Sequence, residues 1–469
     1  MNTRLAVLLM FVGLVSGFGC REESKVPYKE LIATFKEMEE LEKRNFERLV
    51  FKVAPKKVKP SLSFKFIVTD QLGREWMFKT SASGIPSDGA VAIYRIFKLF
   101  GLETPEIHIK TLTVNGEPLT GTLQRLISPV LGGLTDTYLM QLPPEGHTYL
   151  AKTNLLSWMT ANHHIHPQQY LVIPDEREWP KSVMRIDNSI EWFLIGNDSL
   201  TISYQTPVLW NHARVGHAGF WRMYLNAVFD LPMEEILDWV AMVADFPDDF
   251  YGQFFEEGVA KGMRGFANNN VMPWSGPHWT FLPDIVPKVD ESTIIPALIK
   301  RKREFYKDVS KFFNELRRVR SDVPDTKSKR DPTSVAWKLI GMHQENIHRL
   351  KKEEALLNSI QVGKQEPLLI ESSFRAYQIL GPLAYLYAAH PRMRRQHLRN
   401  VAEELRHLEE TSALVQEKRS ARIARRNIEK ILEIDLKSGN EDSIWMRWEF
   451  TNMNELIQDE SLTLERRSE

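Results

Sequence analysis

Three short stretches hold the residue types best suited to chemistry. Lys79 closes Trp76-Met77-Phe78-Lys79, a predicted strand. A run of histidines and amides follows at Asn162-His163-His164-Ile165-His166-Pro167-Gln168-Gln169. Asp187 closes Met184-Arg185-Ile186-Asp187. Imidazole titrates near about 6.5, so His164 can accept a proton at neutral pH. His163, His164 and His166 together with Asp187 also have the chemistry of a zinc ligand set, although the HExxH spacing is absent. Lys79 at a strand end is by itself an ordinary surface lysine.

The elements around these residues bring some of them together. Tyr170–Ile173 and Val183–Ile186 read as two short strands. If they pair antiparallel, Gln169 and Asp187 converge at one end, with His164 and His166 on the adjoining loop. Polar groups there cost free energy if buried without partners. A site and a solvent-exposed hairpin end both satisfy that requirement.

Upstream, Phe64, Phe66 and Val68 alternate with polar residues, Asp70-Gln71-Leu72-Gly73 is turn chemistry, and Glu75–Lys79 resumes a strand. A loop at 81–89 leads to a helix from Ala90 to Phe100, ending at Gly101. Ile107–Val114 and Leu119–Leu126 read as strands joined at Asn115-Gly116, a strong hairpin signal. Residues 61–128 therefore read as strand, strand, helix, strand, strand. Residues 147–320 are mostly helical apart from the hairpin, and 321–333 read as a polar linker. Asp331-Pro332 suits a helix start, and long helices are predicted over 334–358 and 391–435.

This order resembles the atypical protein-kinase fold, in the branch that includes HipA-like, phosphoinositide-kinase-like and secretory-pathway kinases. The family's catalytic loop, N-x-D-R-H-x-x-N-Y-L-V, precedes a hairpin ending in I-D; here the loop reads N-H-H-I-H-P-Q-Q-Y-L-V and Ile186-Asp187 follows. The resemblance covers about residues 61–320. It implies an α+β, bilobal kinase-like fold, with a small β-rich lobe at 61–145 and a larger helical lobe at 146–320. An all-helical C-terminal region at 334–469 follows the 321–333 linker. It further implies ATP and Mg²⁺ as ligands. Lys79 would hold phosphates and Asp187 the metal, while Gln124 lies in the strand leading to the hinge that binds adenine. His166 matches the loop's structural histidine.

The departures bear on activity. His164 stands where the family has its catalytic aspartate, Gln169 where it has the metal-binding asparagine, and Ala90 where it has the helix glutamate, with Asp88 nearby. Gln169 still offers an amide oxygen, but one extra methylene displaces it, and Mg²⁺ demands strict geometry. The expectation is a pseudokinase that binds nucleotide or protein. An active kinase using His164, a metal-dependent hydrolase and a non-enzymatic envelope scaffold are the alternatives.

The N-terminus carries a different message. Arg4 precedes an apolar run from Leu5 to Phe18, too short to span a bilayer, and then Gly19-Cys20. This resembles a bacterial lipoprotein signal at residues 1–19, with Cys20 as the lipid attachment. Cys20 is the only cysteine, so no disulfide can form within the chain. Export and lipid anchoring in the cell envelope are expected. Arg21 favours the outer membrane if the source is diderm. Residues 20–60 form a tether with an amphipathic helix at 28–50 that is either a stalk or packed on the body, followed by a linker at 53–60. Lys plus Arg equals Asp plus Glu at 61 each, which excludes bulk charge as an attraction for nucleic acid. The C-terminal helices are the expected surface for a protein partner, and their Lys/Arg surplus suits either a solvated face or anionic headgroups.

Overall fold

The computed structural model describes residues 26–55, 64–80, 88–160, 169–186, 200–201, 217–256, 291–327, 329–360, 363–380 and 391–438. The chain is a mixed α+β protein with a β-sheet lobe and many helices. No helix among the described residues is long and apolar enough to cross a membrane.

The helix predicted at 28–50 is α1 (Tyr28–Glu47). Its apolar stripe, Leu31, Phe35, Met38 and Leu41, is buried, so α1 packs on the body and is not a free stalk. Five strands follow: β1 (Phe51–Val53), β2 (Phe64–Asp70), β3 (Glu75–Thr80), β4 (Ile107–Val114) and β5 (Glu117–Arg125). Helix α2 (Asp88–Leu99) lies between β3 and β4 in sequence. The sheet order is β1-β2-β3-β5-β4, with every pairing antiparallel. The edge strand β1 was not predicted and shares only Val53 with the linker expected at 53–60; three residues carry too little alternation to reveal it. Asn115 and Gly116 both have positive φ, 49° and 87°, as a type I′ hairpin turn requires.

A second sheet joins β6 (Gly132–Gly133), β7 (Tyr170–Pro174) and β8 (Pro180–Arg185) in that order. Between β6 and β7 come α3 (Asp136–Gln141) and α4 (Pro144–Met159). The remaining helices are α5 (His217–Leu225), α6 (Met233–Ala244), α7 (Glu291–Arg317), α8 (Pro332–Ser359), α9 (Phe374–Leu380), α10 (Pro391–Thr411) and α11 (Val415–Ser438).

Two apolar cores hold the molecule. One joins α1, α2 and the 134–323 body with α8 as far as Leu350. The other lies on one face of the five-stranded sheet, where Phe64, Phe66, Val68, Trp76 and Phe78 pack against Tyr377, Leu398, Val401 and Leu405. The C-terminal helices thus fold back onto the sheet. Asn115 reinforces this: its amide accepts from Ile370 N (2.9 Å) and donates to the carbonyls of Ile370 and Ser372 (3.1 Å each).

Two buried cations on α7 finish neighbouring helices. Arg301 donates to the Trp158 carbonyl near the end of α4 (2.8 Å), and Lys302 to the Ala244 carbonyl at the end of α6 (2.9 Å). Such terminal carbonyls have no partner within their own helix.

Candidate functional site

The sheet has one sealed face and one half-open face, and register decides which residues share each. On β2 and β3 the residues facing the C-terminal helices are buried, while Lys65, Ile67, Met77 and Lys79 are half-buried. Cross-strand partners point to the same side. The pairings therefore set two rows across the half-open face. One row is Lys65, Lys79, Thr122 and Ile109; the next is Ile67, Met77, Gln124 and Ile107, and of these Thr122, Gln124 and Ile107 are buried, so the face is half-open at β2 and β3 only. Lys79 thus faces away from the C-terminal helices.

β5 is central, with β3 and β4 on either side, so its backbone is used by the ladders. Arg125 N donates to Glu106 O and Leu126 N to Glu75 O (2.8 Å each). Gln124 therefore offers its side chain, not its main chain. Its Nε2 donates to the Ile186 carbonyl at 2.5 Å. That contact ties the half-open face to the end of the second-sheet hairpin.

Hairpin register places Tyr170 opposite Arg185, and Ile186 N donates to Gln169 O at 2.8 Å. The antiparallel pairing expected of this hairpin is thus seen, while the Asp187 half of the expected convergence falls on residues outside those described. Gln169 is buried there. His163, His164, His166 and Asp187 lie outside the described residues, as do Cys20 and the side chain of Asp88.

Sequence reading assigned no role to Arg185, which is fully buried. Its guanidinium lies 5.7 Å from the Phe97 ring and 5.9 Å from the Tyr170 ring, and it donates to Ser157 Oγ. Its main-chain N–H donates to Tyr149 Oη (3.1 Å), which in turn donates to Glu103 O (2.5 Å). Burial pushes the Tyr149 hydroxyl far above its usual range, so it stays protonated. The available signal was an arginine at an inward position of an alternating strand.

Gly121 keeps Lys79 in place. A Cβ at Gly121 would lie 2.4 Å from the Lys79 carbonyl oxygen and 2.6 Å from Phe78 Cζ. Backbone cannot yield as a flexible side chain does. Gly121→Ala is expected to cost about 1–3 kcal/mol by overpacking, read as a lower urea midpoint; an unchanged midpoint would mean that β3 and β5 separate freely.

A second polar cluster joins α1, α2 and β4. Tyr94 Oη donates to Glu42 Oε1 (2.5 Å), and Lys98 pairs with Glu42 Oε2. His108 Nε2 lies 2.9 Å from Glu106 and 3.6 Å from Glu42. Burial raises the Glu106 carboxyl, but the hydrogen bond and charge of His108, with Lys98 and Arg74, hold it well below its usual range. Glu42, Glu106 and His108 have the donor atoms of a metal site within 4.8 Å of one another. The Lys98 ammonium already supplies a cation there, so the cluster reads as an ion network that fixes α1 against α2.

No protein-family model matches the chain, and no curated protein matches it. Among solved structures, a MAP kinase from Leishmania major matches at 14% identity, covering 67% of this chain and 99% of its own, with a TM-score of 0.20. A superposition that loose carries no argument about function.

Proposed function

We propose that this chain is a membrane-held, kinase-like protein that binds nucleotide on the half-open face of its sheet and has little or no phosphotransfer activity. The observation that carries the reading is the Gln124 to Ile186 hydrogen bond. It brings the row beside Lys79 against the residue that precedes Asp187. In protein kinases the phosphate-holding lysine lies on the third strand of the small lobe, and a later aspartate binds Mg²⁺. Lys79 likewise lies on the third strand of its sheet. The order of strand lysine, helix, central strand, helix pair and hairpin supports the same reading.

His164 and Gln169 at the catalytic and metal-binding positions support impaired transfer. Cys20 as lipid acceptor supplies the membrane part. Because α1 is docked from its first turn, residues 21–27 alone would separate lipid from body, a span of at most about 25 Å.

A thermal-shift titration of the full-length protein with ATP and Mg²⁺ tests this reading. At 100 times its dissociation constant, ATP should stabilise the fold by about 2.7 kcal/mol, and Lys79→Ala and Asp187→Ala should each abolish the rise in Tm. No shift at millimolar ATP would overturn nucleotide binding and leave an envelope scaffold. Autophosphorylation lost on His164→Ala would establish an active kinase in place of a pseudokinase.

A further inference from the structure

We propose that Lys65 is a second anion-binding cation of this face, and that the ligand it selects is a polyphosphate chain carried by a planar base. This rests on the reading of the half-open face as a ligand site. Lys65 stands directly opposite Lys79 in the β2–β3 ladder. Directly opposed side chains have Cβ atoms about 4.5–5.5 Å apart, and like charges in that relation destabilise the pair. Both lysines are half-buried, where water screens their repulsion less than on an open surface. Each also has contacts of its own within the chain, so neither waits idle for a ligand.

Two opposed ammonium groups, each a compact charge with three donors on a flexible stem, can follow successive phosphates. The neighbouring row supplies the complementary surface: Ile67 and Met77 are paired and apolar. Gln124, next in that row, is held by Ile186. Cations beside an apolar floor match a nucleoside di- or triphosphate, with phosphates along Lys65 and Lys79 and the base over Ile67 and Met77.

Isothermal titration of the full-length protein with sodium tripolyphosphate in EDTA, and separately with ATP and AMP, tests the assignment. Wild type should bind tripolyphosphate and bind ATP more tightly than AMP. Lys65→Ala should weaken both polyphosphates about tenfold, an effect of about 1.4 kcal/mol, and Lys65→Arg should restore them. Lys29→Ala, an exposed lysine of α1, should change neither. Each lysine has contacts of its own, so Tm is read beside every titration, and Lys65→Arg, which keeps the charge, separates loss of the cation from loss of the fold. ATP binding that is lost in Lys79→Ala but unchanged in Lys65→Ala would overturn this inference and keep the nucleotide site. Tripolyphosphate binding that depends on Lys65, with no gain from the base, would keep the anion site and sink the nucleotide reading. No tripolyphosphate binding by wild type would overturn the inference outright.

Discussion

Replacing Asp70 by alanine is expected to lower the unfolding free energy by about 3–5 kcal/mol. The carboxylate side chain is fully buried at the β2–β3 turn and accepts from four donors. They are Leu72 N (2.9 Å), Arg74 N (3.0 Å), Arg74 Nε (2.7 Å) and Trp76 Nε1 (2.9 Å). Arg74 is itself mostly buried and keeps a second partner in Glu353 on α8 (2.9 Å). Alanine would leave two turn amides, a buried indole N–H and half of a buried guanidinium's charge without acceptors. Asp70→Asn is the informative companion. Its amide oxygen can still serve the turn, but its NH2 would face the Trp76 and Arg74 donors. It should therefore lose less than alanine and more than 1 kcal/mol, on the order of one buried charged hydrogen bond. Urea unfolding of the three proteins decides this. Equal midpoints would show that the turn holds without its carboxylate.

Acid should destabilise the protein through His343. The ring is fully buried on α8, 5.4 Å edge-on to Phe35, with Nε2 3.2 Å from the Leu99 carbonyl at the end of α2. A carbonyl only accepts, so Nε2 carries a proton. Nδ1 is buried and has no hydrogen-bond partner among the described residues. Burial is the main cause that pulls this histidine down to about 4; Leu99 opposes the shift and Lys98 adds to it. The unfolded chain takes up that proton near about 6.5. Between those values the unfolded state holds more protons, so stability falls as pH falls, and it is intact above about 6.5. By pH 4 the loss from this one group is roughly 3 kcal/mol. Glu106 adds to acid lability lower still, since its carboxyl is held below its usual range in the fold. His343→Gln keeps a donor for Leu99 and cannot titrate. Urea unfolding at pH 7 and pH 4 should show wild type losing roughly 3 kcal/mol more than the variant. Parallel losses would mean that the imidazole is hydrated in the native state.

These effects trace back to interactions of different sequence range. The Asp70 turn was legible because its donors lie within six residues. The Asn115-Gly116 hairpin was legible because backbone sterics at positive φ select those residue types. His343 gave no signal, since its partner on α2 is 244 residues away. The Glu42 cluster was hidden for the same reason, with Tyr94 52 residues from Glu42. Among candidate site residues, Lys79 and Gln124 were singled out by the kinase resemblance, and Gln169 also by its place at the hairpin end. That Gln124 reaches the Ile186 carbonyl was not legible, because its target is backbone and carries no residue-type mark.

The sequence by itself determined the order of the longer strands and helices, the apolar stripe of α1 and the alternation of β2 and β3, because periodicity is a local property of the chain. Tertiary structure alone decided what covers each stripe. Alternation says that Phe64, Phe66 and Val68 share a face; only packing assigns that face to the C-terminal helices and leaves Lys65 and Lys79 on the other. An apolar surface loses the same area from water whatever apolar partner covers it, so the pattern of one segment does not name its partner. Register, hydrogen-bond direction and the fit of side chains across long sequence separations do.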